Sequence, residues 1–89
     1  MEDYTDPELD EAHDHSYNNK GEIKNSNSCG CFYCCRFFAP RKITDWADKG
    51  GRTALCPYCG IDSVLGDACG FALTDSFLRK MNLVWFSAA

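Results

Sequence analysis

Two cysteine pairs carry the chemistry legible in this chain: Cys31-Phe32-Tyr33-Cys34 and Cys56-Pro57-Tyr58-Cys59-Gly60, separated by 21 residues. Two cysteines with two residues between them can turn both sulfurs to one side of a tight turn. Two such turns supply the four corners of a metal tetrahedron, and the interval lies just beyond the roughly 15 to 20 residues usual for such sites. Gly60 strengthens the second pair, because the residue after the second ligand often takes a positive φ so that backbone N–H groups can face the thiolates. The expectation is one structural zinc ion held by Cys31, Cys34, Cys56 and Cys59. Four thiolates in two knuckles also suit a rubredoxin-like iron centre, so iron is the competing metal.

The second pair has a rival reading. Cys56-Pro57-Tyr58-Cys59 is, letter for letter, the active-site motif of glutaredoxins, where it ends a strand and opens a helix whose N-terminus lowers a thiol pKa. Here Gly60 follows at once, then Ile61, Ser63, Val64 and Leu65, which favour a strand, and only 30 residues remain after Cys59. A dithiol redox protein ranks behind the metal readings, since one tetrahedron accounts for all four cysteines together.

The other reactive residue types suggest less. Cys29, Cys35 and Cys69 are expected to be small buried hydrophobes or exposed thiols. His13 and His15 form an H-x-H in an acidic stretch and are read as solvated. Asp62-Ser63 could place an acid beside a nucleophile, but a turn cap is the simpler account. No residue set nominates an enzyme activity.

Elements able to position the cysteines can be read around them. Cys31 to Phe38 suits a short strand or hairpin ending at Pro40. Pro40 to Lys49 reads as a helix, with Ile43, Trp46 and Ala47 at i, i+3 and i+4 and Gly50-Gly51 as its stop. Thr53-Ala54-Leu55 and Ser63-Val64-Leu65 read as a hairpin carrying the second knuckle at its tip. A last helix should start near Thr74 and bury Phe77, Leu78, Met81, Val84 and Trp85. The sum is a small α+β domain stabilised by zinc, of zinc-ribbon or treble-clef type, with short hairpins carrying two knuckles and two helices.

Composition agrees with a metal staple. Residues 1–28 hold eight acids against Lys20 and Lys24, net −6, with few apolar residues, and are expected to form a flexible acidic tail. Tyr4, Leu9 and Tyr17 leave room for part of it to dock. That assigns residues 29–89 to the zinc-binding domain, and a core of 61 residues supplies only about 3 to 5 kcal/mol unaided. All seven cysteines lie there; an odd count without a secretory leader points to a reducing cytoplasm rather than a closed disulfide set. No apolar run approaches the roughly 20 residues of a membrane helix.

With these residues placed, a longer pattern emerges: Cys31-x2-Cys34-x3-Phe38-x4-Ile43-x2-Trp46-x-Asp48, then the unbroken stretch from Thr53 to Gly66, then Phe77-Leu78-x2-Met81-x3-Trp85-Phe86. It resembles a family of small bacterial proteins that go under the bare description "cytoplasmic protein". The resemblance runs from about Cys29 to Phe86. It implies a bacterial or phage source, a cytosolic location and zinc on the four matching cysteines, and it implies no activity. The chain departs from that pattern in Lys42, where an acid is common, in Cys35 and Cys69, and in its acidic extension.

Two binding functions compete. In the first, zinc fixes a scaffold on which Phe32, Tyr33, Phe37, Phe38, Trp46 and Tyr58 offer a surface to a protein partner; a phage or mobile-element inhibitor of a host complex is one version, and two copies of the chain could also pair through such rings. In the second, Arg36, Arg41, Lys42 and Arg52 touch phosphate and an aromatic ring stacks a base. Residues 29–89 carry seven bases and five acids, but four thiolates with one divalent ion would add −2 and bring the domain to neutrality. That favours the protein partner.

Overall fold

The first strand, β1 (Cys29–Cys31), organises the molecule, and β2 (Phe37–Phe38) and β5 (Val64–Gly66) flank it antiparallel on either side. Cys29 faces Phe38 and Gly66, Gly30 faces Phe37 and Leu65, and Cys31 faces Val64. This is a computed structural model, and it describes residues 6–48 and 50–86. The hairpin expected from Cys31 to Phe38 is present, its turn closed by the Cys31 N–H donating to the Arg36 carbonyl at 3.0 Å.

A second, two-stranded sheet replaces the helix expected over Pro40 to Lys49. Pro40 opens one 3₁₀ turn that ends at Lys42, and Ile43 is already extended (φ −76°, ψ 118°). The chain then enters β3 (Trp46–Ala47), which pairs with β4 (Thr53–Ala54) so that Trp46 faces Ala54 and Ala47 faces Thr53. Three apolar residues were too short a pattern to separate a helix from a bend and a strand. Gly50 and Gly51, with φ of 88° and 63°, do not stop a helix; they turn a hairpin.

The expected pairing of the Thr53 and Ser63 segments also fails. β4 pairs with β3 and β5 with β1, so the two segments belong to different sheets. What survives of that hairpin is the Cys56 N–H donating to the Ile61 carbonyl at 3.0 Å.

Helix α3 (Asp75–Phe86) follows the sequence closely. The Thr74 hydroxyl accepts the Phe77 N–H at 3.1 Å, capping the first turn, and Phe77, Leu78 and Met81 are fully buried. Val84 and Trp85, expected on the same stripe, remain 45% and 36% exposed because the helix runs past the core. Leu78 lies so close to β1 that a Cβ on Gly30 would come within 2.9 Å of its Cδ1.

The largest difference from expectation is at the N-terminus. Where a flexible tail was expected through Ser28, residues 6–28 fold onto the domain through α1 (Asp6–Asp14) and α2 (Lys20–Lys24). Leu9 and Ala12, three apart on α1, are buried with Phe32, Leu65, Phe77, Leu78 and Met81. Ile23 of α2 is buried on the cysteine side with Cys29, Phe38, Ile43 and Val64. Polar side chains do as much: the buried Asn19 donates to the His15 and Val64 carbonyls at 3.0 and 2.8 Å and accepts the Ala54 N–H at 3.0 Å. Of the residues held open for docking, Leu9 docks, Tyr17 stays 69% exposed, and Tyr4 lies outside the described residues. No helix among the described residues is long and apolar enough to cross a membrane.

Candidate metal centre

The two knuckles have one backbone design. In the first, Tyr33 and Cys34 N–H groups face the Cys31 sulfur at 3.3 and 3.4 Å; in the second, Tyr58 and Cys59 N–H groups face the Cys56 sulfur at 3.4 and 3.5 Å. The residue after each second cysteine donates back to the first cysteine's carbonyl, Cys35 to Cys31 at 2.8 Å and Gly60 to Cys56 at 2.9 Å. That return bond needs a left-handed residue, and both comply: Gly60 at φ 78° and Cys35 at φ 60°. The positive φ expected of Gly60 is therefore present, and its counterpart in the first knuckle is a non-glycine residue.

β1 and the approach to β5 bring the knuckles face to face. The sulfurs of Cys31, Cys34, Cys56 and Cys59 all lie within 4.8 Å of one another. Cys31 to Cys59 is 3.6 Å and Cys34 to Cys56 is 3.7 Å. A tetrahedron with Zn–S bonds of about 2.3 Å has S···S edges of about 3.8 Å, and these two edges lie close to that. None is in a disulfide. These four cysteines can hold a metal ion, and among the described residues they are the one such group of cysteines, histidines and acids.

Electrostatics set the condition for binding. Burial pushes the Cys34 thiol up to about 11, against the pull of the Arg36 N–H, and burial likewise raises Cys59 well above the thiol range. Burial also acts on Cys56, but the N–H groups of Cys59 and Tyr58 and the neighbouring thiols outweigh it and leave Cys56 below its ordinary value. A cation entering this site displaces protons that the protein alone would retain, so metal and thiolate form together.

One contributor escaped the sequence reading. Ser63 is fully buried and its hydroxyl lies 3.0 Å from the Cys31 sulfur, while its carbonyl accepts the Phe32 N–H at 3.0 Å. Its hydroxyl hydrogen-bonds the Cys31 sulfur alongside the two backbone N–H groups, the kind of outer contact that orients a ligand. Nothing in the sequence marked it, because a serine just outside a knuckle is common and its target is 32 residues away.

The remaining candidates fall elsewhere. Cys29 and Cys69 are buried, and Cys35 is half-buried. His15 pairs with Glu22 at 2.9 Å, and the His13 ring lies 4.0 Å from that of Trp85, so neither is the solvated histidine expected. The motif from Cys56 to Cys59 opens no helix; it forms a turn over Pro57 to Cys59, and Gly60 follows. Of the six aromatics expected to form a surface, Phe32 and Phe38 are buried, Trp46 is half-buried under Lys20, and Tyr33, Phe37 and Tyr58 are exposed. Arg36 lies over the Tyr58 ring at 4.9 Å, Arg41 and Lys42 are exposed, and Arg52 donates to the Asn18 side chain at 3.0 Å.

Set against protein-family models, curated proteins and solved structures, the chain matches none of them.

Proposed function

We propose that the chain is a structural-zinc module of zinc-ribbon type whose work is to present a surface to a protein partner. The observation that carries this is the cluster of four sulfurs within 4.8 Å of one another, with its two hydrogen-bonded knuckles. Four thiolates fill every position of a tetrahedral ion and leave none for water or substrate, which is the mark of a structural zinc site rather than a catalytic one. Function then belongs to what the metal holds in place. The third residue of both knuckles is tyrosine, and Tyr33 and Tyr58 are 46% and 52% exposed, with Phe37 at 45%. Exposed aromatic side chains on a rigid turn are what protein interfaces favour.

A nucleic-acid partner is the second reading, favoured by Arg36, Arg41 and Lys42, which make no ion pair among the described residues. A tetrathiolate zinc site would carry −2 next to the Arg36 backbone, whose N–H faces Cys34, and that charge offsets the attraction of these cations for phosphate. The protein partner is therefore preferred.

Native mass spectrometry with elemental analysis on protein purified without added metal tests the metal reading. One zinc per chain is expected. One iron would keep the scaffold and change its metal; a metal-free chain with freely reactive Cys56 and Cys59 would overturn the proposal and restore dithiol chemistry.

A further inference from the structure

The sheet around β1 has one closed edge and one open one. At the closed edge α2 lies alongside β5, and the Val64 carbonyl accepts the Asn19 side chain at 2.8 Å. β2 ends the sheet on the other side. The Cys31 N–H donates to the Arg36 carbonyl at 3.0 Å, so Cys31 and Arg36 form a hydrogen-bonded pair of the antiparallel ladder. Such pairs alternate with non-bonded ones, which makes Gly30 and Phe37 a non-bonded pair and turns the Phe37 N–H and carbonyl away from β1. Ala39, two residues on and still extended (φ −75°, ψ 150°), repeats that direction. Its carbonyl accepts the Lys42 N–H at 3.0 Å. Among the described residues, the Phe37 N–H, the Phe37 carbonyl and the Ala39 N–H have no hydrogen-bond partner.

These three groups run donor, acceptor, donor along the edge. One residue of an added strand can exchange both bonds with Phe37, and its neighbour two places away can offer a carbonyl to Ala39. Charge then narrows the choice of strand. Residues 33–44 hold Arg36, Arg41 and Lys42 and no acid. All three cations are exposed and stand outside the ion pairs formed among the described residues. A second copy of β2 laid edge to edge would set these cations against their own kind, the repulsion that guards natural sheet edges from pairing with themselves. A nucleic-acid backbone offers acceptors but no N–H for the Phe37 carbonyl. A peptide strand supplies both, and carboxylates on it meet the cations. Along one face of a strand side chains recur every ~7 Å, about twice the spacing of phosphates on a single nucleic-acid strand, so the negative charge of a thiolate-bound zinc opposes such a peptide less.

We propose that the open edge of β2 receives an acidic, extended segment of a protein partner as an added strand, packed on the Phe37 ring, which is 45% exposed. The proposal rests on the protein-partner reading above and names that partner's chemistry.

Its test is amide NMR on the isotope-labelled, metal-loaded full chain, titrated with a short capped peptide of alternating Glu and Val. The titration runs to about 2 mM, because three hydrogen bonds support only weak affinity. Shifts at the Phe37 and Ala39 amides are expected, and the same peptide with Lys in place of Glu should leave them unmoved. Ala39→Pro removes one outward donor at a φ that proline shares, so fold and metal content should persist while affinity falls about threefold to tenfold. With Arg41→Glu and Lys42→Glu together, the preference should pass to the lysine peptide. Unmoved amides, a lysine peptide that binds as well as the glutamate one, an Ala39→Pro chain of undiminished affinity, or tighter binding of oligothymidylate at the same amides would each overturn the proposal. Metal content is measured on the same samples. A full metal site beside unmoved amides overturns the β2 edge alone, whereas a chain that takes up no metal overturns the scaffold reading and the proposal with it.

Discussion

The two sides of the β1 sheet are held together differently. On one side Ile23, Cys29, Cys31, Phe38, Ile43, Ala54, Cys56 and Val64 are buried, and three of these eight are cysteines. On the other, Leu9, Phe32, Leu65, Phe77, Leu78 and Met81 interlock around Ala12 with no cysteine among the buried members. The strands themselves sort residues between the sides: Val64 belongs to the first cluster and its neighbour Leu65 to the second. One half thus gathers the cysteines that can hold a metal ion, while the other is an ordinary packed layer under α3 and α1. A domain of this size needs both, because neither layer is large enough to fold alone.

Removing the metal should have the largest effect, since binding of structural zinc is worth on the order of 10 kcal/mol or more. Cys56→Ser, or exhaustive chelation, should abolish the cooperative thermal transition followed by circular dichroism. A Cys56→Ser chain that still melts cooperatively would mean that the packed layer suffices, and the contrast between the halves would be lost.

The packed layer can be probed without touching a ligand. Leu78 is fully buried and wedged against Gly30, so Leu78→Ala should cost about 2 to 5 kcal/mol in denaturant unfolding. The metal content of the folded fraction should stay at the wild-type value. If the variant loses metal while folded, the two halves are a single cooperative unit and the division drawn here is too sharp.

What the sequence disclosed follows the same division. The cysteine quartet was legible because C-x2-C spacing is itself a geometric statement, and α3 was legible because Thr74 and the run of Phe77, Leu78 and Met81 act locally. The N-terminal segment was not, because its anchors are long-range: Asn19 bonds Ala54 and Val64, and Ser26 accepts the Ala68 N–H at 3.0 Å, contacts no window of sequence can show. Composition misled there, since two or three well-placed apolar residues dock a segment that reads as polar overall. The segment from Pro40 to Ala54 failed for another reason: Trp46 and Ala47 fit a helical face and a strand equally, and the partner strand decided the matter.

The smallest expected effect sharpens a contrast inside the metal side, between the two knuckles. Both require a left-handed residue, and the second uses Gly60, where a Cβ would meet nothing within 4 Å. Space is therefore not the obstacle to Gly60→Ala; the conformation is, and about 1 kcal/mol of destabilisation is expected. The first knuckle already bears that strain in Cys35, which is half-buried against the helix-side cluster. Cys35→Gly should relieve the conformational cost while forfeiting part of the packing, so its change in stability should be smaller than that of Gly60→Ala. Equal losses in the two variants, measured by denaturant unfolding of the metal-loaded chains, would mean that the Cys35 side chain contributes more than its backbone strain removes, by as much as Gly60→Ala loses, and that the first knuckle is pinned to the helix layer through this thiol.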